Sequence, residues 1–88
     1  MARFEMADIE CASLGHAPAA DTFYQLGMMY SVGQSVPVDL VTAHKWFNLA
    51  AMRGNKDAIR LRRELAEEMS AHEIAQAQRA ARDWLKAS

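Results

Sequence analysis

Residues 49–58 read LAAMRGNKDA, a run of small side chains that leads into Gly54 and Asn55. Residues 11–19, CASLGHAPA, repeat the same order of small, glycine and polar residues. Several pairs of positions share one offset of 39 residues: Ala12 with Ala51, Gly15 with Gly54, His16 with Asn55, Ala19 with Ala58, and Leu26 with Leu65. A fixed offset of this size indicates stacked helical hairpins, in which each glycine turns the chain between two units.

The composition favours helix over strand, because the 88 residues include many alanines but only four glycines and two prolines. Apolar residues recur every three or four positions over four segments: 19–32, 40–53, 58–69 and 74–85. A further helix is predicted over residues 6–14. The predicted fold is therefore all-α, with about five helices that form a short α-solenoid of stacked antiparallel hairpins.

Polar residues mark where the predicted helices begin. Asp39 and Asn55 each precede an apolar stripe and can accept a hydrogen bond from a free N–H group of the first helical turn. Ser70 and Glu73 have the spacing of a capping box, in which each side chain caps the other residue's main chain. These signals predict three helix starts, and Gly33 marks the end of the helix before Asp39.

The central segment carries a longer pattern. Residues 24–58 read Y-x-LG-x-x-Y-x-x-G-x-x-V-x-x-D-x-x-x-A-x-x-WF-x-x-AA-x-x-GN-x-x-A. This pattern closely resembles the Sel1-like repeat, a relative of the tetratricopeptide repeat. The resemblance implies one domain over residues 1–88. It contains one full repeat at about 19–57, partial repeats on either side, and a C-terminal capping helix at about 71–86.

The unit that follows departs from the pattern. Ala66 stands where Gly27 would recur, Met69 stands where Tyr30 would recur, and no second tryptophan-phenylalanine pair follows. These departures predict that the superhelix stops instead of extending. The closing segment, MSAHEIAQAQRAARDWL, is similar to the helix that ends many bacterial Sel1-like proteins.

The resemblance also implies a role. Sel1-like proteins generally act as adaptors or scaffolds that bind other proteins, and they are not themselves enzymes and need no cofactor. The expected partner is a protein of unknown identity. Two alternatives remain open: a small structural or accessory subunit that associates with itself or with a larger assembly, and a nucleic-acid-associated regulator.

Composition restricts these alternatives. Ten basic and eleven acidic residues give a net charge of −1, so no overall field attracts nucleic acid, and none is expected as a partner. No window approaches 18 consecutive apolar residues, so membrane insertion is not expected. One cysteine, Cys11, cannot form an internal disulfide, which favours a cytoplasmic location.

Residues that could carry chemistry are few and scattered. His16, His44 and His72 lie on different predicted elements without metal-ligand spacing, so no metal or catalytic residue is predicted. Cys11 aligns with Ala50 and is expected to pack as a small apolar residue. Trp46 and Phe47 lie on a helix stripe and are expected in the core instead of on a stacking platform. The cluster Arg60, Arg62 and Arg63 is followed by Glu64, Glu67 and Glu68, which should neutralise it.

The period places a candidate surface. In stacked hairpins the first helix of each unit lines the concave side, and a 39-residue offset equates three positions of one such helix with three of the next. A partner helix or extended peptide is expected to bind there. The predicted partner-binding residues are Asp21, Tyr24, Met28, Arg60, Arg63 and Glu67. Met28 and Met29 are neighbours, so at least one of them is expected to reach the surface.

Overall fold

The computed structural model describes residues 19–87. These residues form four helices: α1 (Ala20–Val32), α2 (Leu40–Met52), α3 (Lys56–Ala66) and α4 (Ala71–Ala87). The described part of the chain contains no strand, which confirms the all-α prediction. The number of helices within it is one fewer than the five predicted, because the helix predicted over residues 6–14 lies outside the described residues. The predicted tail of a preceding repeat, over residues 11–16, lies outside them as well.

The predicted caps form. The Oδ1 atoms of Asp39 and Asn55 each accept a hydrogen bond from the N–H three residues further on, at 3.1 and 2.8 Å. In the capping box, Ser70 N–H donates to Glu73 Oε1 at 2.9 Å, and Glu73 N–H donates to Ser70 Oγ at 3.1 Å. Each cap satisfies N–H groups that have no partner inside the helix, which fixes the starts of α2, α3 and α4.

The first hairpin consists of α1 and α2, which run antiparallel. At one end the N–H of Asp39 donates to the carbonyl of Tyr30 at 3.0 Å. At the other end the guanidinium of Arg53, directly after α2, lies over the ring of Phe23 near the start of α1, 5.8 Å from its centroid. Gly33 has a φ of 78° and lets the chain leave α1, because an L side chain rarely adopts that conformation.

The second hairpin, α3 and α4, stacks on the first through α2. Helix α3 runs antiparallel to α2, because the chain turns back over residues 53–55 and Arg62 Nη1 donates to Asn48 Oδ1 at 2.6 Å. Helix α4 runs parallel to α2, since Glu73 in its first turn lies beside the start of α2, and Trp84 near its end contacts Trp46 in the middle of α2, with 6.1 Å between ring centroids. The second helices of both hairpins therefore lie side by side in the same direction.

The core lies where these helices meet. Phe23 contacts Trp46 of α2 and also Trp84 of α4, the latter edge to face at 5.2 Å. The aromatic rings thus join one hairpin to the other, as expected for Trp46. The buried apolar residues are Phe23, Leu26, Ala43, Trp46, Phe47, Leu49, Ala50, Ala58, Leu65, Met69, Ala77 and Ala81.

Candidate interaction surface

The first half of the predicted surface lies on α1. Asp21 is exposed in the first turn, where a carboxylate is favoured by the positive end of the helix. Tyr24 is half-buried and its ring packs against Phe47, with 5.9 Å between centroids. Met28 is half-buried against the core. Only part of each of the latter two side chains is therefore open to a partner.

Met29 is also half-buried against the core, so both neighbouring methionines keep part of their side chains at the surface, where at least one was expected. Successive residues of a helix point about 100° apart, and an apolar stripe of that width has room for both at its two edges.

The second half of the surface lies on α3. Arg60 is exposed and forms ion pairs with Asp57 at 3.9 Å and Glu64 at 3.3 Å. Arg63 is exposed too, but no carboxylate of residues 19–87 pairs with it, including Glu67, its predicted partner. Glu67 is exposed and follows the last residue of α3, where its main-chain N–H donates to Glu64. Arg63 is therefore the more available of the two cations.

One hydrogen bond links the helix starts of the two halves of the predicted surface. Asn55 Nδ2 donates to Asp21 Oδ1 at 3.5 Å, which brings the start of α3 to the start of α1. The starts of the first helices are thus close together, whereas the main helix packing of the described residues joins α2 to α1, α3 and α4. Within residues 19–87, no hydrogen bond or ion pair joins Asp21, Tyr24 or Met28 to Arg60, Arg63 or Glu67.

The three clustered arginines do not form one basic patch. Arg60 is held by two carboxylates, and Arg62 is half-buried with its guanidinium on Asn48 of α2. Only Arg63 projects without an acidic partner from the described chain. Phosphate recognition depends on several cations acting together, so this arrangement does not favour nucleic acid.

A polar seam runs between α2 and α3 beside the Asn48–Arg62 bond. His44 lies one turn before Asn48 and is only 4% exposed. Its Nδ1 has no hydrogen-bond partner among residues 19–87. Burial, and to a lesser degree the positive charge of Arg62, lowers the pKa of His44 below 6.5. The folded state therefore holds this imidazole neutral.

A pH dependence of stability follows from His44. Below about pH 6.5 the unfolded chain takes up a proton that the folded chain does not, so acidification lowers the free energy of unfolding, by at most about 1.4 kcal/mol per pH unit. We expect urea unfolding between pH 7.5 and 5 to show this loss in the native chain and in the His72→Gln control, whose histidine is exposed. In His44→Gln the loss should be much smaller. Parallel pH profiles for the native chain and His44→Gln would contradict the assignment.

The described residues offer little for catalysis or metal binding. No three His, Cys, Asp or Glu side chains of residues 19–87 lie close enough together to hold a metal ion. His44 and His72 do not meet, since one is buried and the other exposed. Cys11 and His16 lie outside the described residues. None of the helices in residues 19–87 combines the length and apolarity needed to cross a bilayer.

One feature of the described surface was not predicted. A cleft of about 410 Å³ lies at the end of the molecule where α1 ends and where α2 and α4 begin. Its lining residues come from α1, the α1–α2 loop, the first turn of α2 and the first turn of α4. Because these segments are far apart in the chain, no local pattern marks them as one site.

Two antiparallel helix pairs that pack together through α2 are typical of tetratricopeptide-like helical repeats. The family model of the Sel1 repeat matches residues 24–55, which include most of α1, the α1–α2 loop and all of α2. Residues 24–55 of the chain therefore contain a Sel1 repeat. Sel1 repeats generally mediate protein–protein interaction. No curated protein and no solved structure gave a significant match to the chain.

Proposed function

We propose that this protein is a non-enzymatic adaptor or scaffold that binds a partner protein through the outer faces of α1 and α3. The observation that carries the proposal is the Asn55–Asp21 contact, which brings the starts of the first helices of both hairpins together. The proposed division has one full repeat over about 19–57, partial repeats on either side, and α4 as a cap. A cytoplasmic location is part of the same proposal.

The chemistry of this face fits a peptide or helix with mixed charges. Tyr24 and Met28 offer partly exposed apolar surface, while Arg63 offers a cation that no carboxylate of the described chain neutralises. Aromatic residues and arginines are the residue types that most often dominate binding energy at protein interfaces. The remaining three proposed contacts, Asp21, Arg60 and Glu67, are exposed polar groups suited to the rim.

Arg63→Glu tests the proposal directly, because its exposed side chain can be changed without disturbing the core. We expect a tagged native chain to recover a specific partner from host lysate, identified by mass spectrometry. Recovery should fall about tenfold or more with Arg63→Glu, as for an interface residue worth about 1.4 kcal/mol or more. Arg82→Glu, an exposed arginine on α4, is the matched control and should recover the same partner at the native level.

Equal recovery by the native chain and Arg63→Glu would contradict the proposed face, and no specific partner above background would contradict the adaptor role. Tyr24→Ala should also weaken binding. Because the Tyr24 ring packs on Phe47, its binding has to be compared at equal folded fraction. Light scattering on the purified chain tests the alternative of a self-associating structural subunit, which a strict monomer at high concentration would disfavour.

A further inference from the structure

The cleft at the end of the molecule has a mostly apolar wall. This wall is formed by residues of the α1–α2 loop and of the start of α2, namely Pro37, Val38, Leu40 and Val41. Val38 is 58% exposed, which is unusual among the large apolar residues of the described chain. With about 410 Å³, the cleft lies near the lower limit of ligand pockets. That space suits one or two inserted side chains, not a whole helix.

Two carboxylates also line the cleft, and both also cap helices. Asp39 accepts hydrogen bonds from the N–H and the hydroxyl of Thr42, at 3.1 and 2.8 Å. Glu73 accepts one from the N–H of Ser70 at 2.9 Å. No basic side chain lines the cleft, whose remaining polar group is the phenol of Tyr30.

The balance of charge decides which ligand the cleft favours. The starts of α2 and α4 each contribute roughly half a positive charge, whereas each carboxylate contributes a full negative charge. About one negative charge therefore remains. Each carboxylate also engages one main-chain N–H at its helix start, so two helix starts do not make this an anion site.

We propose that this cleft binds a segment of a partner protein that inserts one aliphatic side chain against Val38 and places one lysine or arginine beside Asp39 and Glu73. The apolar wall provides area for the aliphatic group, and the residual negative charge selects the cation over a carboxylate. The cleft is separate from the outer faces of α1 and α3. The two proposals can therefore fail independently.

Charge can be removed from the cleft without losing the caps. Asparagine caps helices as well as aspartate does, and glutamine replaces glutamate in a capping box. Asp39→Asn and Glu73→Gln should therefore keep the starts of α2 and α4 while neutralising one carboxylate each. Asp83→Asn, an exposed carboxylate near the other end of α4, is the matched control.

Three short acetylated and amidated peptides serve as probes, with central Leu-Arg, Leu-Glu or Ala-Arg and otherwise alanine and serine. Titration into the full ¹⁵N-labelled chain should shift the amides of Val38, Leu40 and Glu73 with the Leu-Arg peptide. The Leu-Glu and Ala-Arg peptides should bind at least fivefold more weakly. The Leu-Arg peptide should also bind at least threefold more weakly to Asp39→Asn and to Glu73→Gln, but equally to Asp83→Asn.

Several outcomes would overturn the cleft proposal: equal binding of the Leu-Glu peptide, unchanged affinity of both charge-neutral variants, or shifts confined to α1 and α3. Shifts of the same amides on dilution of the protein alone would assign the cleft to a second copy of the chain and would equally overturn it. Failure of the Arg63→Glu pulldown has no bearing on these shifts, which keeps the two tests distinguishable.

Discussion

Phe23→Ala is expected to lower the free energy of unfolding by about 3 to 5 kcal/mol, the range for truncation of a buried aromatic residue. Phe23 has no exposed surface, and its ring contacts Trp46 of α2 and Trp84 of α4. Its removal leaves a cavity at the point where the two hairpins join. A domain of this size has a total stability of about 5 to 15 kcal/mol, so the loss is a large fraction of the whole.

Chemical denaturation monitored by far-ultraviolet circular dichroism measures this effect, and near-ultraviolet circular dichroism reports the packing of the two tryptophans. Phe23→Leu keeps more of the apolar volume and should cost clearly less. Met52→Ala is the matched control, since Met52 is 56% exposed and should change stability by no more than about 0.5 kcal/mol. A loss below about 1 kcal/mol for Phe23→Ala would show that Phe23 does not hold the hairpins together.

Local signals made the helix starts predictable. Asp39, Asn55 and the pair Ser70 and Glu73 each act on a main-chain group three residues away, so the sequence alone contains both partners. The same holds for the ion pair of Arg60 with Glu64, one helical turn apart. Such interactions need no knowledge of how the helices pack.

The position of Trp84 shows where a constant offset fails. The 39-residue period predicts no second tryptophan in the layer of Trp46, yet Trp84 lies 38 positions after Trp46 and contacts it. The connection between α3 and α4 spans residues 67–70, whereas that between α1 and α2 spans residues 33–39. In addition, Trp46 is the seventh residue of α2 but Trp84 is the fourteenth of α4, so the two positions are not equivalent and subtraction at one fixed offset misses the contact.

Packing decides the exposure of two further residues. Met52 lies about 200° around α2 from the buried Ala50 and faces outward. His44 carries no sequence signal of burial, yet it is only 4% exposed, one turn before Asn48, to which Arg62 of α3 bonds. In both cases the direction of approach of the next helix sets the burial, and that direction is a property of the whole fold.

Of the two candidate surfaces, one could be predicted from the sequence and the other could not. The proposed face on α1 and α3 could be derived from the period, because its residues keep the same spacing in each unit. The end cleft could not, because Tyr30, Val38 and Glu73 belong to three segments that only the stacked hairpins bring together. The sequence correctly predicts that Asp39 and Glu73 cap helices. It does not predict that both residues also line the cleft.

Gly27→Ala is expected to destabilise the protein by about 2 kcal/mol, although alanine is the better helix former by about 1 kcal/mol. A Cβ atom at Gly27 would lie 2.5 Å from both Cδ1 and Cε1 of Phe47. Phe47 is almost fully buried and cannot move away without disturbing its neighbours. Overpacking of about 3 kcal/mol, at the upper end of the usual range, therefore outweighs the gain in helix propensity.

A double-mutant cycle isolates this contact. Phe47→Leu alone should lower stability, but in the Gly27→Ala background it should cost less or even stabilise, because the smaller side chain makes room for the methyl group. Gln25→Ala, at an exposed position of the same helix, measures the propensity effect without the clash and should be neutral or slightly stabilising. Additive effects of Gly27→Ala and Phe47→Leu would contradict the close approach. Coupling between them would show why the repeat pattern requires a glycine at position 27: at that point α1 passes directly over the ring of Phe47.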